Sequence, residues 1–269
     1  MIGFIGGGNM AEAIIKGITK DARGKGQRAR EEILVSEPRD DRRKYLAQTY
    51  GVKTTQSNKE LVTECDIIIL AVKPQNMEAV LDEIAGDVTE KKVVVSIAAG
   101  ITLSYLASKL KTELIIRVMP NTPAIVQEGI SVMSLCGCFY GNELDMVKSI
   151  LMSVGKVLVL PEGQMNAVTA LSGSGPAFIA LFTEALTEAG VKLGLHRADA
   201  VELAVQTVLG TAKLLDTGMS AENLREMVTS PGGTTAAGLK VFEEKNLMGI
   251  VADALKAAQA RADELGRRG

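Results

Sequence analysis

With 269 residues, 46% of them hydrophobic, the chain is long enough for two packed cores. A formal net charge of -2 provides no field to collect nucleic acid or an anionic membrane, and 3% aromatics without tryptophan argue against base-stacking surfaces and sugar platforms. One histidine, His196, would have to carry any Ser-His-Asp hydrolysis or multi-histidine metal site, so no metal is expected and His196 reads as a structural residue at a helix end or in a loop.

The chain opens on MIGFIGGG, which puts a strand at Ile2–Ile5 and leaves the expectation of no signal or transit peptide. Further strands are expected at Ile33–Ser36, 66–71, 93–97, 115–118 and 130–135, with helices at 10–19, 39–48, Met77–Ile84 and 103–110 between them. Continuous apolar runs such as DIIILAV and KVVVSIA fit strands covered on both faces. This alternation predicts a doubly wound, Rossmann-like α/β domain over residues 1–162. The charged stretch 21–32 (DARGKGQRAREE) reads as a solvated loop before the second strand. Three cysteines, Cys65, Cys136 and Cys138, form no CxxC pair and fit a reducing cytoplasm. Gly, Pro or charge is expected to stop every apolar run short of a membrane span.

After Pro161-Glu162-Gly163 the β-rich runs vanish, and residues 163–269 read as a helical domain. Segments such as FIALFTEALTEAGVKLG and AVELAVQTVLGTAKLL are apolar on more than one face. A domain of about 100 residues can hardly bury such helices alone, so this half is expected to pack against its copy in a homodimer.

Gly6, Gly7, Gly8, Asn9, Met10 and Ala11 form G-x-G-x-x-A between the first strand and the first helix. Glycine permits the tight turn and the approach of a pyrophosphate, Ala11 permits close helix–strand packing, and the helix N-terminus faces the negative charge. At the end of the second strand, Ser36 and Arg39 suit a 2′-phosphate, whereas Glu37 suits free ribose hydroxyls. The lean is to NADPH, with NADH open. Ala71, Val72, Lys73 and Pro74 follow one strand; Ala98 and Ala99 follow another; Asn121 lies in the MPNTP that closes a third. Each of these could equally be an ordinary turn.

Two glycine-rich interruptions in the helical half, LSGSGPA (171–177) and TSPGGTTAAGL (229–239), should each mark a helix start. The second places free N–H groups and hydroxyls where a small carboxylate would fit. Alone, either loop reads first as helix capping by Ser and Thr.

LREMVTSPGGTTAAGLKVFE (224–243) resembles the signature of the pyrroline-5-carboxylate reductase family, and LSGSGPAF, AVKP, SIAAGIT and MPNTP resemble it in the same order. The resemblance spans essentially the whole chain. It implies reduction of 1-pyrroline-5-carboxylate to proline, a Rossmann domain, a helical dimerisation domain with a site between them, and assembly into dimers or multiples of dimers. It makes Thr235 the threonine whose hydroxyl meets the ring nitrogen. Gly233, Thr234 and Thr235, with Ser174 from the other loop, would hold the substrate. Gly6, Gly8, Asn9, Met10, Ala11, Ser36, Arg39, Asn58, Ala71, Val72, Lys73, Pro74, Ala98 and Ala99 would line the cofactor, with Asn121 near the nicotinamide. A hydroxyacid dehydrogenase of similar architecture is the rival reading. It needs a helix lysine as general base, and residues 171–191 contain no Lys, Arg or His. A non-catalytic nucleotide sensor, or a reductase of a six-membered cyclic imine, also remains open.

Overall fold

In the computed structural model, residues 1–21, 32–137 and 142–266 are described. The charged loop expected at 21–32 lies outside them apart from its ends, as does Cys138. Eight strands form one sheet in the order β3-β2-β1-β4-β5-β6-β7-β8. The parallel part comprises β1 (Ile2–Ile5), β2 (Ile33–Ser36), β3 (Lys53–Thr55), β4 (Ile67–Leu70), β5 (Val93–Ser96) and β6 (Ile115–Met119). Strand β7 (Gly129–Cys136) runs antiparallel to β6, and β8 (Gly155–Val159) runs parallel to β7.

Alternation along the strands divides the core between the two faces. Phe4, Val35, Ile69 and Val95 pack with residues of α1 (Asn9–Asp21), α2 (Asp40–Tyr50) and α6 (Glu143–Met152). Ile5, Leu34, Ile68, Leu70 and Val94 pack with α3 (Asn58–Glu64), α4 (Met77–Ile84) and α5 (Leu103–Lys109). Neither face of these strands meets water, which is why their sequences are apolar at successive positions rather than alternate ones. The doubly wound sheet is therefore as the sequence predicts. Two strands went unread in the sequence. β3 (KTT) is short and polar, and β8 is largely exposed; both lie at sheet edges, where no apolar run is required.

Helices α7 (Met165–Val168), α8 (Gly175–Lys192), α9 (Arg197–Asp216), α10 (Ala221–Met227), α11 (Thr234–Glu244) and α12 (Leu247–Gly266) follow. Serine caps α10, with Ser220 accepting the Asn223 N–H at 3.1 Å. His196 sits exposed at the N-cap of α9. By compactness the chain divides into one unit of Met1–Ser174 with Ala258–Gly269, and a second of Gly175–Ala257.

The first glycine-rich interruption starts α8 as expected, but what precedes it is not a loop. Thr169–Gly173 forms a π turn in which the Ser174 N–H reaches the Thr169 carbonyl at 2.9 Å. Pro176 then falls in the first turn of α8, where its missing N–H costs no helical hydrogen bond. The helical run 162–192 spans 31 residues and contains an 18-residue window with a mean hydropathy of 1.3.

Candidate active site

Strand β1 lies between β2 and β4, the point where the winding of the sheet reverses. Ile5 pairs with Ser36 and with Leu70, Leu70 with Ser96, and Ser96 with Arg117. The carboxyl ends of these strands are therefore level, and ligands of open α/β sheets bind outside that edge. The candidate cofactor residues share this edge: the Gly6–Ala11 turn follows β1, Ser36 ends β2 with Arg39 beyond it, and Asn58 opens α3 after β3. Ala71 to Pro74 follow β4, Ala98 and Ala99 follow β5, and Asn121 follows β6.

The two outer glycines of the first turn differ in what they do. Gly6 has φ +99°, and a Cβ there would stand 2.8 Å from the Ala71 carbonyl oxygen. Around Gly8 the space is open, with nothing within 4 Å of a Cβ position. That open cradle, beside the unpaired amides of the first turn of α1, has the shape and polarity a pyrophosphate needs. Ala11 is fully buried in the core beneath.

The end of β2 is tightly tied. The Ser36 hydroxyl donates to Asn58 Oδ1 at 2.7 Å, and Asn58 Nδ2 donates to Glu83 at 2.7 Å. Glu37 is buried and points under the glycine turn. Its Oε2 accepts the Gly7 N–H at 3.0 Å, while its Oε1 accepts the Arg39 N–H at 3.2 Å and Arg39 Nε at 2.9 Å. Burial pushes the Glu37 carboxyl up, but the Arg39 side chain and the Gly7 and Arg39 amides outweigh it and hold the group below its ordinary range. On the other side of the same residue, Arg42 Nε donates to the Gly7 carbonyl at 2.6 Å. Arg42 also bonds Glu12, which accepts the hydroxyls of Tyr45 and Tyr50. These roles of Glu37 and Arg42 escape a sequence reading. The only signal is the density of charge in EPRDDRR, and its composition does not say which charges turn inward.

The Ala71 N–H bonds the Ile5 carbonyl at 2.9 Å, and Val72 is half-buried. Lys73 and Pro74 are exposed, and Pro74 opens a short 3-10 turn. Ala98 is buried, and Gly100 after it has φ +78° with Leu265 of α12 against it. Asn121 Oδ1 accepts the Ile130 N–H at 2.9 Å, which ties that side chain to the start of β7. Buried Arg117 bonds Glu162 at 3.2 Å, and Asn166 beside it donates to Asp263 at 2.6 Å.

Ser174 belongs to the first unit, and its hydroxyl is turned to the Thr169 carbonyl at 3.3 Å. The other candidate substrate residues lie in the second unit. Gly232 has φ +71°, Gly233 is the N-cap of α11, and Thr234 and Thr235 form its first turn. The amides of that turn have no partner within the helix. Among the described residues the half-buried Thr235 hydroxyl makes no hydrogen bond, so one place offers free N–H groups and an uncommitted hydroxyl. Along α8 the first cationic side chain is Lys192, at its last position. Among the described residues no three His, Cys, Asp or Glu side chains cluster closely enough for a metal ion.

Comparison with known proteins adds the following. A family model described as pyrroline-5-carboxylate reductase dimerisation matches residues 162–265, and one described as NADP oxidoreductase, coenzyme F420-dependent, matches residues 1–100. A pyrroline-5-carboxylate reductase of Synechocystis sp. is 42% identical over 268 residues, 99% of this chain and 98% of that protein. The solved structure of a pyrroline-5-carboxylate reductase from Coxiella burnetii superimposes with a TM-score of 0.91 at 38% identity, covering 98% of this chain and 97% of the other. That of the Plasmodium falciparum pyrroline carboxylate reductase with NADP bound gives 0.85 at 32% identity, covering 98% and 97%.

Proposed function

The chain belongs to the pyrroline-5-carboxylate reductase family, and we propose that Thr235 and the amides opening α11 hold 1-pyrroline-5-carboxylate while its C=N bond is reduced to give L-proline. This is an NAD(P)H-dependent oxidoreductase acting on a cyclic imine, in the last step of proline biosynthesis. One observation carries the assignment of roles: the Pro-Gly-Gly-x-Thr motif ends at the N-terminus of a helix, where unpaired amides and a free hydroxyl occur together.

An N-terminal helical turn attracts a carboxylate through its N–H groups and the positive end of the helix dipole. Gly233 and Thr234 bring that backbone close to the ligand without a bulky side chain. The Thr235 hydroxyl can donate to or accept from the ring nitrogen, orienting the imine and stabilising its protonated form. A protonated C=N accepts hydride without a strong general base, so the lack of a cation on α8 before Lys192 is no obstacle. The carboxyl-edge loops hold the dinucleotide: Gly6, Gly8, Asn9, Met10 and Ala11 at the pyrophosphate, Ser36, Arg39 and Asn58 at the adenosine ribose. Ala71 to Pro74, Ala98, Ala99 and Asn121 lie toward the nicotinamide. When bound, NADPH, or NADH with lower preference, supplies the hydride.

Residues 163–269 serve as the dimerisation and substrate domain, with a homodimer as the minimal unit and larger assemblies built from it. The exposed apolar residues of α8, α9 and α12 support this, because a second copy would remove them from water. The protein acts in the cytoplasm. The test is an assay following absorbance of the reduced nicotinamide with pyrroline-5-carboxylate and each cofactor. Substrate-dependent loss is expected with both, faster with NADPH. No loss from folded protein that binds NADPH would overturn the substrate assignment.

A further inference from the structure

An acid at the end of the second strand of a dinucleotide fold ordinarily accepts the ribose hydroxyls and repels a 2′-phosphate. Glu37 occupies that place but is engaged elsewhere. Its side chain is only 7% exposed, and both oxygens are taken, one by the Gly7 N–H and the other by the backbone and Nε of Arg39. Arg39 is the reverse: its side chain is 60% exposed, held at Nε alone, and its two terminal nitrogens make no hydrogen bond among the described residues. A guanidinium fixed at Nε keeps its terminal fork free for an anion.

We infer that Glu37 is a positioning residue that sets NADPH over NADH, because its carboxylate joins the Gly7 peptide of the phosphate turn to Arg39 and presents that guanidinium to the ribose 2′-phosphate. The inference rests on the cofactor reading above and deepens it. Gly7 is held on both sides, its N–H by Glu37 and its carbonyl by Arg42, so its N–H is not available to the ligand. The pyrophosphate then falls to the amides from Gly8 onward, where the turn is open. Turn and 2′ site share one anchor, so loosening Glu37 disturbs both, and the 2′-phosphate loses more.

The sign of one ratio tests this. Glu37→Gln retains an oxygen for Gly7 but sets an amide nitrogen against Arg39, and Glu37→Ser removes both bonds. In each, the ratio of kcat/KM with NADPH to that with NADH is expected to fall by roughly 5-fold, beyond any general loss of affinity. Arg39→Met should lower the ratio in the same direction and serves as the second route if either Glu37 variant folds poorly. A ratio that rises in Glu37→Ser would make Glu37 an ordinary ribose acid and overturn the inference. An unchanged ratio with both cofactors weakened alike would also overturn it, leaving a turn anchor without a role in selectivity. Wild-type protein that binds neither cofactor would overturn the cofactor reading as well, so the two failures are distinguishable.

Discussion

Helix α1 in the first unit buries Ala11, Ala13, Ile14 and Ile15, each at 3% exposure or less, against a sheet that α3, α4 and α5 cover from its other face. Helix α9 in the second unit has 20 residues and buries only Ala200 and Ala204, while Leu203 is 58% exposed; Leu181 of α8 is 65% exposed and Met248 of α12 is 83% exposed. The first unit finds its apolar partners within its own chain. The second has the composition of a core but not the cover. The difference shows that hydrophobic content says how much surface must be buried and not against what, a choice made in one unit by the sheet and in the other left to assembly.

The largest expected effect comes from attacking the uncovered faces. Leu181→Glu or Leu203→Glu should convert the dimer to monomer in light scattering and lower Tm by about 10 °C, since each dimer would receive the charge twice. A variant that stays dimeric with unchanged Tm would break the contrast between the units. Next is Thr235→Ala, expected to reduce kcat/KM for the imine by about 100-fold while the NADPH Kd, measured by fluorescence titration, changes by less than ~2-fold. Equal losses in both would mean that α11 supports folding rather than substrate. In the self-sufficient unit, Gly6→Ala introduces a Cβ at positive φ against the Ala71 carbonyl and should cost about 2 kcal/mol in urea unfolding, with weaker NADPH binding.

The smallest effect is in acid. Glu12 and Glu37 both lie below their ordinary value of 4.5 in the folded protein. In each, burial works the other way but is outweighed, by hydrogen bonds from Arg42, Tyr50 and Tyr45 to Glu12 and from Arg39, Gly7 and Arg39 N–H to Glu37. A depressed carboxyl contributes stability that is fully present above the unfolded value and lost as pH falls through the folded one. The sheet unit should therefore weaken on acidification below that value, and Glu12→Gln should flatten the dependence of the urea midpoint on pH. A wild-type midpoint that rises as the pH is lowered would contradict this sign.

Much of the fold is legible because burial on both faces leaves a strong mark: IGFI, ILVS, IIIL and VVVS are all strands at or within a residue of where the sequence puts them. The edge strands β3 and β8 carry no such mark, since an edge strand needs backbone partners on one side only. The glycine turn is legible because Gly6 answers a local demand of the backbone. Glu37 is not, because the direction of a charged side chain depends on which partners the fold brings to it.

By itself the sequence determined the buried strands of the sheet unit, the glycine turn after the first of them, a helix start within residues 229–239 and the excess of apolar sequence after residue 162. Those features depend on periodicity and on residues with special backbone freedom, which act over a few positions. Only the tertiary structure decided that Glu37 faces Gly7 and Arg39, that a π turn carries the chain into α8, and that Arg117 on β6 meets Glu162. The Gly7–Glu37 and Arg117–Glu162 contacts join partners 30 and 45 residues apart, and even between neighbours such as Glu37 and Arg39 the side-chain direction follows from the packing around them, so no local pattern encodes the choice.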